Sequence, residues 1–152
     1  MMTLSDLLRF NPITIQCHDN PDADSIASGY GLYSYFKDKG KDVTLFYGGS
    51  NKISKSNLTL MAEKLDIPLE YIADNKEKLG GLLITVDCQW GAGNVTKFMA
   101  DEIAIIDHHQ VENGNVKLSN IQSDLGACST LVWEMLGEEE HVRDGNGKAD
   151  RP

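Results

Sequence analysis

The residues of this 152-residue chain that are best suited to chemistry are acidic and imidazole side chains placed directly after three apolar segments. They are His18, Asp22, Asp24, Asp87, Asp107, His108 and His109. Brought together, these groups would repel one another or lose much hydration energy unless cations held them. Oxygen-rich ligand sets with one or two imidazoles suit Mn²⁺ or Mg²⁺, and a set of this size suits two ions. The pattern therefore predicts a site for two divalent cations, either Mn²⁺ or Mg²⁺.

Taken alone, each of these groups also has a structural explanation. Asp24 could cap the first helix, and Asp22 could form a turn after a proline. His18 could be a half-buried residue at a strand end, and Asp87 could simply begin a loop. In the triplet at residues 107–109 the adjacent imidazoles are expected to point to opposite sides, so that only one of them faces an ion squarely. Only the joint occurrence of these groups after three segments favours the metal site.

Apolar segments that alternate with stretches of helical period predict an α/β fold for the chain. Its sheet is expected to be mostly parallel, with about five strands and helices on both faces. The strands are expected at residues 13–17, 43–46, 82–86 and 103–106, with a weaker one at 69–72 and a possible edge strand at 116–118. The helices are expected from Asp24 to Gly40, from Ser56 to Leu65 and from Leu125 to Gly137, the last with Trp133 in the core. Since the carboxyl ends of parallel strands meet at one edge, the acidic and imidazole groups are expected to lie together there.

The composition and charge exclude several classes of protein. With 14 Lys+Arg against 23 Asp+Glu, the net charge of −9 excludes a broad basic face for duplex nucleic acid. A phosphate substrate remains compatible with this charge, because bound cations can invert the field of an acidic site. The 3 cysteines show no C-x-x-C spacing, which argues against a disulfide framework and favours a reducing, cytoplasmic setting. No apolar run is long enough to predict a membrane span or a secretion signal.

Three short motifs occur in a fixed order along the chain. HDNPDAD at residues 18–24 is similar to the pattern H-x-x-P-D-x-D, with Ala23 where many proteins of that pattern have glycine. VDC follows at residues 86–88, and DHH follows at residues 107–109. Together these motifs resemble those of the DHH phosphoesterase family, and the segment GACSTLVWEML resembles the helix that follows the family's triplet. The resemblance covers about residues 13 to 136, and ordered motifs are more specific than one triplet alone.

The family resemblance implies the fold of a DHH-type N-terminal domain and a set of metal ligands. By that resemblance, His18 and Asp22 would bind the first cation, and Asp24 and His108 would bind the second. Asp87 would bridge the two cations, for which the resemblance favours Mn²⁺ over Mg²⁺. Within the family, the chain resembles oligoribonucleases that also cleave pAp and RecJ-like exonucleases.

The resemblance also implies a reaction. His109 would face the substrate phosphate, and Asp107 would orient its neighbours. A hydroxide bridging the two cations would attack a phosphodiester, phosphomonoester or phosphoanhydride bond. The substrate would be a phosphate-containing small molecule or a short oligonucleotide. The alternative is a non-catalytic module that binds metal and a nucleotide and needs a partner domain.

Residues 1–137 are expected to form the catalytic domain, and residues 138–152 are expected to form a polar, solvated tail. Members of the family supply a further aspartate to the second cation from a strand beyond the last helix, and they add a C-terminal domain that binds substrate. Neither is predicted in this sequence, since Asp144 and Asp150 follow no apolar strand. The second cation would then lack a ligand, and activity would be reduced. The sequence leaves the oligomeric state open.

Overall fold

The computed structural model describes residues 1–53, 56–73, 77–112 and 114–146. Its strands are β1 (Ile13–Cys17), β2 (Val43–Tyr47), β3 (Leu69–Tyr71), β4 (Leu79–Val86), β5 (Ala100–Asp107) and β6 (Leu118–Ile121). Its α-helices are α1 (Ala23–Asp38), α2 (Ser56–Lys64) and α3 (Cys128–Asn146). The strands form one parallel sheet in the order β3-β2-β1-β4-β5-β6. The prediction of an α/β fold with a mostly parallel sheet is confirmed.

The strands form where apolar and β-branched residues run continuously, as is typical of a parallel sheet covered on both faces. β1 and β2 start at the predicted residues, while β4 and β5 each start three residues earlier than predicted. The edge strand β6 lies at Leu118–Ile121 rather than at residues 116–118. Most of its residues are only half-buried, so its apolar signal is weak.

The strand order reverses at the centre of the sheet, between β1 and β4. There, Gln16 of β1 lies opposite Thr85 of β4, and Val86 of β4 lies opposite Ile106 of β5. All three strands therefore end at about the same level. The loops that follow them share one crevice, which is where ligands bind in folds of this type.

The three α-helices found among the described residues pack on one face of the sheet. Residues of all three belong to the larger apolar cluster, together with alternate strand residues such as Ile15, Ile84 and Ala104. The smaller cluster lies on the other face, and its buried members are Phe46, Leu83, Phe98 and Ala100. No described helix contributes to this smaller cluster or packs against it. For the described residues, the prediction of helices on both faces is therefore wrong.

An irregular loop between β4 and β5 covers the second face instead of a helix. The ring of Phe98, in this loop, meets the ring of Phe46 edge-on, with centroids 5.0 Å apart. The indole Nε1 of Trp90 donates a hydrogen bond to the carbonyl oxygen of Phe98 at 2.8 Å. Gly91 and Gly93 favour irregular backbone over helix in this segment. The loop thus supplies the apolar cover that a helix was predicted to supply.

Helix α3 is longer than predicted, because it continues through Gly137 to Asn146. A glycine inside a helix costs only about 1 kcal/mol relative to alanine, and the three glutamates that follow it are good helix formers. The predicted end of this helix at Gly137 is therefore wrong. Glu138 and Glu140 are exposed, the prediction of a solvated tail stays a prediction, and residues 147–152 lie outside the described residues. The helices among the described residues lack the apolar length that crossing a bilayer needs.

Trp133 lies on the exposed side of α3 and not in the core. Its exposed fraction is 77%, whereas the core side of the helix is formed by Leu131, Val132 and Met135. Together with Cys128, these core residues follow the spacing of one helical face, and Trp133 falls outside that face. The prediction that this tryptophan is buried was wrong because it considered the residue type without its angular position.

Candidate metal centre at the carboxyl edge of the sheet

The predicted site residues all lie at the carboxyl edge of β1, β4 and β5 or in the first turn of α1. His18 follows β1, and Asp87 follows β4. Asp107 is the last residue of β5, and the two histidines of the triplet come directly after it. Two sets of these residues have possible ligand atoms that all lie within 4.8 Å of one another. The sets are His18, Asp22 and Asp87, and Asp87, Asp107, His108 and His109.

Asp87 is the central residue of the site and belongs to both sets. Its side chain is buried, and its two oxygens face different imidazoles. Oδ2 lies 3.5 Å from Nε2 of His18, and Oδ1 lies 3.0 Å from Nε2 of His108. The backbone at Asp87 has a φ of +62°, a left-handed conformation that aspartate adopts more readily than most residues. This turn points the carboxylate into the crevice between the two histidines.

Two features of the donor set suit a bound cation. Asp87 Oδ1 is buried and has no hydrogen-bond partner, so the 3.0 Å approach of His108 lacks the geometry of a hydrogen bond. A buried carboxylate oxygen without a partner is costly unless a positive charge compensates it. Nδ1 of His18 contacts the Asp19 carbonyl oxygen at 2.7 Å, and Nδ1 of His108 contacts the Leu125 carbonyl oxygen at 3.1 Å. In both rings Nε2 therefore faces the carboxylates. A metal-binding histidine usually has this arrangement, with one ring nitrogen bonded to the protein and the other free for the ion.

Asp22 has two contacts, one structural and one within the site. Its Oδ1 accepts a hydrogen bond from the backbone N–H of Ser25 at 2.9 Å and so caps α1. Its Oδ2 lies 3.7 Å from Nε2 of His18. The side chain is 61% exposed, so Oδ2 remains open to a ligand. The structural and the functional explanations of this residue are therefore compatible.

Asp24 caps a helix other than the one considered from the sequence. Its two oxygens accept hydrogen bonds from the backbone N–H groups of Cys128, at 3.0 Å, and Ser129, at 2.9 Å, at the start of α3. Burial raises the pKa of Asp24, but these hydrogen bonds and the nearby imidazole of His108 outweigh burial and lower it. Oδ2 lies 3.9 Å from Nε2 of His108, and Asp24 belongs to neither of the two close sets. Its role as a ligand of the second cation stays a prediction.

Asp107 is buried and holds His109. Its Oδ1 lies 2.7 Å from Nδ1 of His109, and its Oδ2 accepts a hydrogen bond from Nε2 of Gln89 at 2.9 Å. Both oxygens of Asp107 are therefore occupied within the protein. His109 itself is half-exposed, with 51% of its side chain accessible.

The two histidines of the triplet lie side by side and do not point to opposite sides. Their ring centroids are 4.3 Å apart, with an angle of 45° between the ring planes. The strand alternation used in the prediction does not apply, because β5 ends at Asp107, before either histidine. His108 is largely buried and His109 is half-exposed, so the two imidazoles differ in access to solvent.

Gln89 is a site residue that the sequence analysis missed. It lies two positions after Asp87, is almost fully buried, and donates to Asp107. Glutamine in a polar loop is ordinarily exposed, and no local pattern marked this one as buried.

The sequence of the chain matches a known family over most of its length. Residues 12–150 match the family model for the N-terminal domain of the DHH family. The chain belongs to the DHH family. This confirms the resemblance seen in the motifs, and it places the DHH chain in a family of metal-dependent phosphoesterases.

Two similar proteins are longer than this DHH chain. It is 27% identical over 127 residues to an uncharacterized protein of Methanocaldococcus jannaschii, and the match covers 84% of the chain but 26% of that protein. Its fold is similar to the crystal structure of an exopolyphosphatase-related protein from Bacteroides fragilis. That match has a TM-score of 0.58 and 18% identity, and it covers 88% of the chain and 42% of the other. The chain thus spans about a quarter of the first protein and less than half of the second.

The three cysteines around the DHH site are unsuited to thiolate chemistry. Burial raises the pKa of Cys17 to about 12 and raises those of Cys88 and Cys128 well above their ordinary value. All three side chains are buried and free of disulfides. At neutral pH they are therefore protonated thiols, which are poor nucleophiles and poor metal ligands.

The stability of the metal-free DHH chain is expected to fall between pH 6.5 and 9. Burial lowers the pKa of His18, but its hydrogen bonds and the charges of Asp87 and Asp22 raise it to about 9, from an ordinary value of 6.5. Because the folded state binds the proton of His18 more tightly than the unfolded state does, protonation of His18 stabilises the fold. This contribution is complete below pH 6.5 and is lost as the pH rises through 9. The Tm of chelator-treated protein, measured across this range, should decline. His18→Gln should have a flatter profile, and identical slopes for the two proteins would contradict the prediction.

Proposed function

We propose that this DHH domain is a two-metal phosphoesterase that hydrolyses phosphodiester, phosphomonoester or phosphoanhydride bonds. The observation that carries the proposal is the position of Asp87, whose two oxygens face two different histidines. A carboxylate placed in this way can be shared between two cations. Membership of a metal-dependent phosphoesterase family supports the same conclusion.

The residues proposed to hold the first cation are His18, Asp22 and Oδ2 of Asp87. Those proposed for the second are His108 and Oδ1 of Asp87, with Asp24 as a further ligand through Oδ2. We propose Mn²⁺ as the preferred ion and Mg²⁺ as the alternative, because carboxylates suit both ions whereas the imidazoles of His18 and His108 suit Mn²⁺ better than Mg²⁺. The site of the second cation has fewer free ligand atoms than that of the first, because both oxygens of Asp24 also accept hydrogen bonds from the start of α3.

Bound at these positions, two cations would neutralise charge on the phosphoryl oxygens and lower the pKa of an attacking water. The chain's own groups would position the substrate. The half-exposed imidazole of His109 would contact the phosphate, and Asp107 would hold its Nδ1. We propose a small phosphate-containing molecule or a short oligonucleotide as the substrate, because the net charge of −9 disfavours a long polyanion bound along the surface. A reducing, cytoplasmic setting is part of the proposal, supported by the three free cysteines.

Mn²⁺ is expected to stabilise the chain and to switch on hydrolysis. At about one hundred times its Kd, a ligand of the native state adds about 2.7 kcal/mol, which raises Tm by about 5 to 10 °C for a chain of this size. The measurements are thermal unfolding and calorimetry with Mn²⁺ and Mg²⁺, and assays with an aryl phosphate, a short oligoribonucleotide, pAp, a cyclic dinucleotide, pyrophosphate and polyphosphate. Turnover should require the metal and stop on adding a chelator.

The outcomes of these measurements separate the proposed enzyme from its alternative. No rise in Tm with either metal would contradict both the enzyme and a metal-binding module. Metal binding without turnover of any substrate in the panel would contradict the enzyme and favour a non-catalytic module that binds metal and a nucleotide.

A further inference from the structure

Gln89 is a buried polar side chain whose hydrogen-bonding groups are all used within the protein. It is 2% exposed. Its Nε2 donates to Oδ2 of Asp107 at 2.9 Å and to the carbonyl oxygen of Gln110 at 2.8 Å. Its Oε1 accepts from the backbone N–H of Glu112 at 3.0 Å. One side chain therefore joins the end of β5 to the loop that follows the DHH triplet.

These partners fix which way the amide of Gln89 points. Asp107 and the carbonyl of Gln110 can only accept hydrogen bonds, and the N–H of Glu112 can only donate one. A flipped amide would place its oxygen against a carboxylate and a carbonyl, and its NH₂ group against an N–H. Both amide protons therefore donate hydrogen bonds, one to Asp107, before His109 in the sequence, and one to Gln110, directly after it.

We propose that Gln89 is a positioning residue that sets the orientation of the His109 imidazole. The route is through Asp107, whose other oxygen lies 2.7 Å from Nδ1 of His109. With Nδ1 held by the carboxylate, Nε2 is the ring nitrogen left for a ligand in the crevice. The inference rests on the proposed function only in its claim that this orientation affects turnover.

Because Asp107 is buried, it depends on Gln89 for a hydrogen bond. Asp107 is 1% exposed, so water cannot supply the hydrogen bond that Asp107 loses when Gln89 is replaced. Gln89 also holds Gln110, the residue directly after His109, so the backbone is fixed on both sides of the histidine. Supporting residues of this kind commonly change activity 10- to 100-fold, because small errors in the position of a reacting group are costly.

The central test is Gln89→Met, which keeps the approximate shape of the side chain and removes its hydrogen bonds. We expect kcat to fall about 10- to 100-fold with KM and Mn²⁺ affinity little changed. In a His109→Ala background, Gln89→Met should have no further effect on kcat, because the residue acts through His109. Independent effects of the two substitutions would overturn the proposal.

A second measurement does not depend on activity. In metal-free protein at fixed pH, the ¹⁵N NMR signals of the His109 ring should report a protonated Nδ1 bonded to Asp107. Gln89→Met should shift or broaden these signals. Should that variant not fold, Gln89→Asn replaces it in the same experiment: it keeps the amide but is one methylene too short to reach both Asp107 and Gln110. Unchanged His109 signals in the folded variant would show a purely structural role and overturn the proposal.

A matched control is Gln16→Met on β1. Gln16 is also a buried glutamine, and its Nε2 donates to the carbonyl oxygen of Thr96 at 2.8 Å, on the second face of the sheet. This control should leave the His109 signals unaltered. If wild-type protein hydrolyses no phosphate compound, the proposed function fails, while the His109 signals still decide whether Gln89 orients the ring.

Discussion

Asp87→Asn is expected to lower kcat/KM by at least about a thousandfold and to remove the rise in Tm that Mn²⁺ produces. The substitution takes away a carboxylate that faces both His18 and His108, and replaces one of its oxygens with an NH₂ group that cannot bind a cation. Metal-assisted charge stabilisation is worth several kcal/mol, and about 4 kcal/mol corresponds to a thousandfold change in rate. The measurements are kcat/KM with saturating Mn²⁺ and a calorimetric Mn²⁺ titration.

Asp66→Asn is a matched control for this substitution. Asp66 also has a left-handed backbone, with a φ of +56°, but it is exposed and precedes β3 at the opposite edge of the sheet. Asparagine tolerates this backbone conformation at both positions, so neither variant should be strained. The control should keep its activity and its Mn²⁺ response. Asp87→Asn with more than a tenth of wild-type activity would contradict the central role of this carboxylate.

Gly81→Ala is expected to destabilise the fold by about 3 kcal/mol, or a fall in Tm of about 6 to 12 °C. Gly81 has a φ of +68°, and a Cβ there would lie 2.1 Å from the carbonyl oxygen of Pro12. The carbonyl oxygen of Pro12 accepts a hydrogen bond from the backbone N–H of Leu82, where the pairing of β1 with β4 begins. The backbone there must therefore move to make room for the Cβ. The left-handed conformation costs alanine about 1 to 2 kcal/mol, and overpacking adds about 1 to 3 kcal/mol.

The neighbouring glycine provides the control for Gly81→Ala. A Cβ at Gly80 would meet nothing within 4 Å, and its φ lies outside the left-handed region. Gly80→Ala should therefore change the free energy of unfolding by no more than about 0.5 kcal/mol. Urea unfolding of the metal-free proteins measures both values. Equal losses in the two variants would show that the close approach to Pro12 is unimportant for stability.

The fold could be predicted from sequence where a local signal was strong. The central strands were found because their apolar runs are continuous, whereas β6 was displaced because its residues are only half-buried. The end of α3 was wrong because glycine is a weak stop signal, which good helix formers after Gly137 outweigh. Among the described residues, a loop and not a helix covers the second face. This cover depends on how Phe98 packs against Phe46, a contact between distant segments that periodicity does not predict.

The grouping of the candidate residues at one edge could be predicted from the sequence, but not all of their contacts. The residue types at three strand ends were sufficient to predict that His18, Asp87 and His108 lie together, because the carboxyl ends of parallel strands meet at one edge of the sheet. The bond from Asp24 to the start of α3 joins residues more than a hundred positions apart, and no local pattern reports it. Gln89 was missed for the same reason, since its burial follows from the packing of the loop after the triplet.

The reversal of strand order between β1 and β4 has a kinetic consequence. His18 follows β1 and Asp87 follows β4, and the chain between them forms β2 and β3 on one side of the sheet. The two side chains meet only after β1 has paired with β4, a long-range contact that forms slowly because it requires closing a long loop. An ion held by both residues would bind only the completed sheet. It would therefore slow the unfolding of this domain while leaving its rate of folding nearly unchanged.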